Sequence, residues 1–159
     1  MRRESAARLV RTVLLFGILV FVGAAQGAAQ DRGFGLGVIL GEPTGLSGKY
    51  WVSGSNAIDA GMAWSFRKPG FLHLHADYLW HFPLHTREVE RFVLYAGVGG
   101  RLGVRETKPL LGIRIAGGFA YWPKNTPLDI FIEFAPVVDL APATELSANG
   151  GVGIRFFFR

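Results

Sequence analysis

The 159 residues end with the segment Gly151-Val152-Gly153-Ile154-Arg155-Phe156-Phe157-Phe158-Arg159, of which residues 151–158 show a regular alternation. Within 151–158, the residues at even positions are all large and apolar, whereas the odd positions hold two glycines, an arginine and a phenylalanine. A period of two residues indicates a β-strand with one apolar face and one smaller or more polar face. We therefore looked for the same period in the rest of the chain.

The N-terminus has the three parts of a secretory signal peptide. A basic stretch from Met1 to Arg11 is followed by an apolar run over 13–22 and then by small residues over 23–29. The apolar run is too short for a membrane-spanning helix, which needs about 20 residues. Cleavage after Ala29 fits the small residues at 27 and 29, and Ala25 and Gly27 are alternative cleavage positions. We predict that residues 1–29 are the signal peptide and that residues 30–159 form a single domain.

The composition of the chain excludes several classes of function. The net charge is +5, but the predicted signal peptide holds four arginines and one glutamate, so the mature chain keeps only +2. This small charge, without a nucleic-acid motif, gives no reason to expect a nucleic-acid partner. The absence of cysteine excludes disulfides, thiol chemistry and a lipid anchor on cysteine.

The mature chain contains eight segments with strand-like alternation, separated by turn residues, and no convincing helical period. They span approximately 33–41, 46–53, 56–66, 71–82, 91–103, 109–121, 128–139 and 146–158. This succession of alternating segments and turns predicts an all-β fold, namely an eight-stranded antiparallel up-and-down barrel.

One face of each predicted strand carries large apolar side chains, and the other carries mostly Gly, Ala and Ser with scattered charge. The charged and histidine members of the second face are Lys49, Asp59, His73, His75, Asp77, His81, Arg101, Arg114, Glu133 and Arg155. More than thirty large apolar residues would overfill the interior of an eight-stranded barrel. A water-facing surface would also be more highly charged than this small-residue face. The apolar face is therefore predicted to point outward, to lipid, and the polar face inward.

Aromatic residues give a second indication of a membrane barrel. With both termini at the periplasmic end, five strands contribute aromatic residues to that rim, and Trp64 and Phe66 fall at the opposite rim. The residues of the periplasmic rim are Phe34, Tyr78, Trp80, Phe82, Phe92, Phe119, Tyr121, Phe156 and Phe158. Interfacial girdles of this kind are typical of membrane barrels.

With these features, the chain resembles the small eight-stranded outer-membrane barrels, such as the OmpA membrane domain and OmpX. Gly153, Phe156 and Phe158 match the C-terminal signal that the barrel-assembly machinery recognises in that family, although Arg159 follows the aromatic residue here. The resemblance implies a monomer in the outer membrane of a Gram-negative bacterium, with membrane lipid as its surroundings. The predicted outer connections have about five residues or fewer, and the longest connector, 83–90, is predicted at the periplasmic end. Such short outer connections do not favour adhesion or host binding.

The inward charges are expected to form an ion-pair network of Lys49, Asp59, Arg101, Arg114, Glu133 and Arg155, because an unpaired buried charge is costly. Counting from the turns, we expect Glu133 to lie between Arg114 and Arg155, and Lys49 to lie near Asp59. His73, His75, Asp77 and His81 share the inner face of one strand and are the candidates for a metal such as zinc. No other strand offers a third ligand, so a hydrogen-bonded polar plug is the favoured interpretation and no cofactor is predicted.

The sequence thus predicts a small integral outer-membrane barrel with a filled polar interior and a structural or envelope-related, non-enzymatic role. Three alternatives remain: a barrel enzyme acting on membrane lipid, a narrow channel and a soluble lipocalin-like barrel. The enzyme alternative would use Ser47, Ser53, Ser65 or Ser147 with His73 or His75 and Asp77, but none of these serines lies in a nucleophile motif.

Overall fold

The structure, a computed structural model, describes residues 33–64, 72–84, 91–104, 109–123 and 126–158, with the backbone alone at residue 91. They form eight strands: β1 (Phe34–Glu42), β2 (Thr44–Trp51), β3 (Asn56–Trp64), β4 (Leu72–Leu84), β5 (Arg91–Val104), β6 (Leu110–Trp122), β7 (Leu128–Ala141) and β8 (Glu145–Phe158). The bounds lie within two residues of the predicted ones. In these described ranges no helix is long and apolar enough to cross a membrane.

The strands close into a barrel in which each pairs antiparallel with its neighbours in sequence. The closing contact joins β1 to β8, from Phe34 opposite Phe158 to Glu42 opposite Gly150. Closure leaves no strand edge with unpaired backbone groups. The predicted eight-stranded antiparallel barrel is therefore confirmed. We call the end at which β1 begins and β8 ends the lower end, and the other end the upper end.

Side chains alternate between the inside and the outside of the barrel along each strand. On β7, Ile130, Ile132 and Phe134 are exposed on the outside, whereas Asp129 and Glu133 are buried inside. The large apolar side chains are outside, as predicted, because the narrow lumen of eight strands cannot hold them.

The inner face is less uniformly small than the sequence pattern predicts. Phe131 and Phe157 are buried in the interior, each directly opposite a glycine on the neighbouring strand, Gly153 and Gly35 respectively. A Cβ atom at Gly35 would lie 2.8 Å from the ring of Phe157, and one at Gly153 would overlap the ring of Phe131. A large ring on one strand thus fills the space left by a glycine on the next.

The connection between β1 and β2 at the upper end is a tight turn. Only Pro43 separates the two strands, and Thr44 Oγ1 donates to the carbonyl of Gly41 at 2.9 Å. Residues 65–71, between β3 and β4, and residues 85–90, between β4 and β5, lie outside the described residues. The position of the longest connector therefore stays a prediction. The predicted signal peptide, Phe66 and Arg159 lie outside the described residues.

Candidate functional site

The inward-facing polar residues of the barrel form the candidate site. All ten charged and histidine residues predicted on the inner face lie inside, and all are buried except His75, which is partly buried. Alternation within each strand brings them to the interior, and the pairing of the strands sets their height. The charged ones among them form three ion-paired groups at different heights rather than one network of ion pairs.

The lower cluster consists of Lys49, Asp59, Asp129 and Arg155. Lys49 Nζ lies 3.0 Å from Asp129 Oδ2, and Arg155 Nη1 donates to the same oxygen at 3.1 Å. Arg155 also binds Asp59 through Nη2 and donates from Nε to Ser47 Oγ at 2.9 Å. Lys49 is directly opposite Asp59 in the register of β2 and β3, as expected, but its ion pair is with Asp129.

The central cluster consists of Asp77, Arg114 and Glu133. Arg114 Nε donates to Asp77 Oδ2 at 2.7 Å, and its Nη2 binds Glu133 Oε1. Tyr95 also donates to Glu133, from its hydroxyl to Oε2 at 3.1 Å. The predicted pairing of Glu133 with Arg114 is present.

The predicted pairing of Glu133 with Arg155 is wrong. In the register of β7 and β8, Glu133 is opposite Gly151, and the residue opposite Arg155 is Asp129. Counting from the turns therefore missed the true register by four residues. Because a shift of four residues is even, each side chain is still assigned to the correct face of its strand. The shift nevertheless pairs Arg155 with Glu133 instead of Asp129.

A third group, the upper pair, joins Arg101 to Asp139, with Arg101 Nε donating to Asp139 Oδ1 at 2.8 Å. Asp139 and Asp129 are inward-facing residues that the predicted set of inner-face charges does not include. The signal that could have found them is their position: both are at odd numbers on β7, like Glu133, and so share its inward face. Both lie near strand ends, where aspartate is easily taken for a turn residue.

An aromatic layer fills the lower end of the barrel, beneath the lower cluster. It consists of Trp51, His81, Tyr95 and Trp122. The ring centroids of Trp51 and His81 are 4.4 Å apart, and those of Trp51 and Trp122 are 5.6 Å apart. Lys49 Nζ lies 5.2 Å from the centroid of the Tyr95 ring, a distance typical of a cation–π contact. The layer and the ion pairs thus place large buried side chains in the lumen at several heights.

The histidines of β4 lie at different heights in the barrel. His81 belongs to the aromatic layer, and its Nδ1 lies 3.2 Å from the carbonyl oxygen of Ser55. The ring centroids of His73 and His75 are 5.3 Å apart near the upper half of the barrel. The expectation that no other strand offers a third ligand is wrong: His75, Asp77 and Glu133 each place one ligand atom within 4.8 Å of the others.

Two of the serines considered for an enzyme have structural contacts. Ser47 accepts a hydrogen bond from Arg155 in the lower cluster. Ser53 Oγ accepts from the backbone N–H groups of Ser55 and Asn56 in the turn between β2 and β3. Both hydroxyl groups therefore have hydrogen-bond partners, whereas Ser65 lies outside the described residues.

The residues of the predicted assembly signal lie on the closing strand. Gly153 is buried inside, whereas the Phe156 side chain is 46% exposed on the outside and its ring centroid lies 5.5 Å from that of Phe158. Phe158 is directly opposite Phe34. Recognition of this strand by an assembly machinery stays a prediction.

Comparison with known proteins supports the fold. The crystal structure of the N-terminal β-barrel domain of Pseudomonas aeruginosa OprF superimposes with a TM-score of 0.59 at 12% sequence identity. The match covers 79% of this chain and 96% of the OprF domain. The two chains share the eight-stranded barrel fold. No family model matches the sequence, and no curated protein does.

Proposed function

We propose that the chain is a small integral outer-membrane β-barrel with a structural or envelope-related role and no enzymatic activity. The observation that carries this proposal is the outer surface of the barrel. Of the strand side chains that the structure describes as exposed, Glu145 at the start of β8 is the only charged one. The remaining exposed positions form a continuous apolar belt around the barrel.

The belt is too large for a soluble monomer. Twenty-six large hydrophobic side chains of the described part of the chain are exposed, from Phe34 on β1 to Phe156 on β8. Soluble monomers rarely expose contiguous apolar patches above a few hundred Å². The barrel thus has apolar side chains outside and charged side chains inside. This arrangement is the opposite of that in a soluble barrel and is the one expected in lipid.

The aromatic residues on the outside support the same orientation. Trp80, Phe82 and Phe156 are exposed at the lower end, and Trp64 is exposed at the upper end. Amphipathic and aromatic rings at both ends of an apolar belt are suited to the membrane–water interfaces. With the predicted signal peptide, this supports export and insertion with the lower end in the periplasm. The likeness to the OprF barrel is consistent with it.

A structural role fits the filled lumen better than transport does. The aromatic layer and the ion pairs occupy the interior with side chains that contact one another, and eight strands enclose little additional space. The surrounding lipid is the partner that the outer surface fits, and the barrel-assembly machinery is the partner proposed for biogenesis.

Fractionation of cells expressing the full chain tests this proposal. We expect the protein in the outer-membrane fraction, resistant to extraction by carbonate, and migrating faster on a gel before boiling than after it. As a control, a soluble periplasmic protein should be released by osmotic shock in the same preparation. Release of the folded chain with that control would overturn the proposal and favour a soluble ligand-binding barrel.

A further inference from the structure

The central cluster has a feature that the ion pairs do not explain. His75 and Asp77 of β4 and Glu133 of β7 converge in the interior, with one ligand atom from each within 4.8 Å of the others. β4 and β7 are not neighbours in the barrel, so Glu133 approaches the β4 residues across the lumen. An imidazole and two carboxylates thus meet from two sides of the barrel.

Two of these side chains have buried polar atoms without a hydrogen-bond partner. Asp77 is 2% exposed, and only its Oδ2 binds Arg114, whereas its Oδ1 has no partner. His75 Nδ1 also has none, and His75 Nε2 lies 3.9 Å from Asp59 Oδ1, beyond hydrogen-bond distance. Buried polar atoms nearly always have a hydrogen-bond partner, so Asp77 Oδ1 and His75 Nδ1 are candidates for binding a ligand.

The charges of the interior identify the kind of ligand. In the described interior, the lower cluster has two cations and two carboxylates, and the upper pair has one of each. The central cluster sets two carboxylates, Asp77 and Glu133, against the single cation Arg114. The uncompensated negative charge of the buried residues therefore lies in the central cluster, beside the unpartnered atoms of His75 and Asp77, and a bound cation would balance it.

A small cavity adjoins the cluster on its upper side. Its volume is about 10 Å³, close to that of a single water molecule. Its lining includes His75 and Glu133 of the cluster, together with Arg114 and Asn149, whereas Asp77 does not line it. The cavity therefore lies beside two of the three residues.

We propose that His75, Asp77 and Glu133 bind one divalent transition-metal ion of the Zn²⁺ class. Imidazole nitrogen with carboxylate oxygen is a donor set that zinc accepts, with ligand distances of about 2.0–2.2 Å, whereas Mg²⁺ and Ca²⁺ prefer oxygen alone. Side-chain rotations would bring the three ligand atoms to those distances, and Glu133 would exchange its hydrogen bond from Arg114 or from Tyr95 for the metal ion. A water molecule in the cavity would complete the coordination. Arg114 then holds the second oxygen of Asp77 and fixes its orientation, as a neighbour of a metal ligand commonly does.

Zinc titration of the purified, refolded full-length barrel in detergent micelles tests this site independently of the proposed function. We expect one Zn²⁺ per chain by calorimetry and a higher melting temperature when zinc is added than when a chelator is. Co²⁺ should give a visible absorption band that zinc abolishes. His75→Gln and Glu133→Gln should each weaken binding at least tenfold.

The matched control is His81→Gln, which removes a buried histidine of the same strand outside the site and should bind zinc as the parent does. Faster gel migration before boiling identifies the variants that fold, and either His75→Gln or Glu133→Gln suffices for the comparison. The proposal is overturned if the parent binds no zinc at micromolar concentrations, or if a folded variant of His75 or Glu133 binds it as tightly as His81→Gln does.

Discussion

Arginine in place of Ile115 tests whether the apolar belt faces lipid. Ile115 lies in the middle of β6 and is 59% exposed on the outside of the barrel. In a bilayer this height is near the midplane, where arginine on the lipid face costs about 2–4 kcal/mol. If the same surface faced water, a substitution there would change the free energy of unfolding by only about 0.5 kcal/mol.

Leu146→Arg is the matched control for depth. Leu146 is on the same outer surface, but it is the second residue of β8 at the upper end and is 85% exposed. Near an interface the cost of arginine falls to about 0–1 kcal/mol. A difference of about 2 kcal/mol between the two variants corresponds to roughly a 30-fold difference in the folding equilibrium.

The assay is urea unfolding of the parent and both variants in phosphatidylcholine vesicles, followed by tryptophan fluorescence. We expect Ile115→Arg to lower the unfolding midpoint strongly and Leu146→Arg to lower it slightly, with similar slopes. Equal effects of the two arginines, or a change of less than about 0.5 kcal/mol for Ile115→Arg, would refute the lipid-facing assignment.

Three further predictions concern the interior and the closing strand. Arg155→Met should destabilise the barrel by about 3–5 kcal/mol in the same urea assay, because it leaves the buried Asp59 without its cation and Asp129 with Lys49 alone. A loss below about 1 kcal/mol would show that the lower cluster contributes little. Gly153→Ala should destabilise by about 1–3 kcal/mol through overlap with the Phe131 ring, and Phe131→Leu in the same chain should recover part of that loss. Deletion of residues 151–159 should remove the protein from the outer-membrane fraction in immunoblots, whereas loss of Arg159 alone should be tolerated. Recovery of the truncated chain as a folded, soluble protein would contradict the proposed closure of the barrel.

The barrel could be predicted from the sequence because its period is local. Each strand shows its two faces in its own alternation, as in Val152 and Ile154 outside with Gly153 and Arg155 inside, and the turns mark the strand ends. These signals need no knowledge of the neighbouring strand. The number of strands and the inward direction of every predicted polar residue followed from them.

The contacts within the interior could not be predicted in the same way, because they depend on the stagger between strands. A shift of two or four residues keeps every side chain on its face, so alternation cannot detect it. The pairing of Arg155 with Asp129 instead of Glu133 results from such a shift. The approach of Glu133 to His75 depends on the closed barrel, which brings together strands distant in sequence.

The pairing of interior rings with glycines limits how this sequence can change. Where Phe131 covers Gly153 and Phe157 covers Gly35, two positions on neighbouring strands share one volume. Replacing the glycine by a larger residue first produces overlap with the ring, and replacing the ring by a smaller side chain first leaves a cavity. Each single substitution therefore lowers stability, although the two substitutions together can conserve the volume. Such pairs are expected to evolve together or not at all, and homologous barrels should be distinguished by which strand of a pair carries the ring.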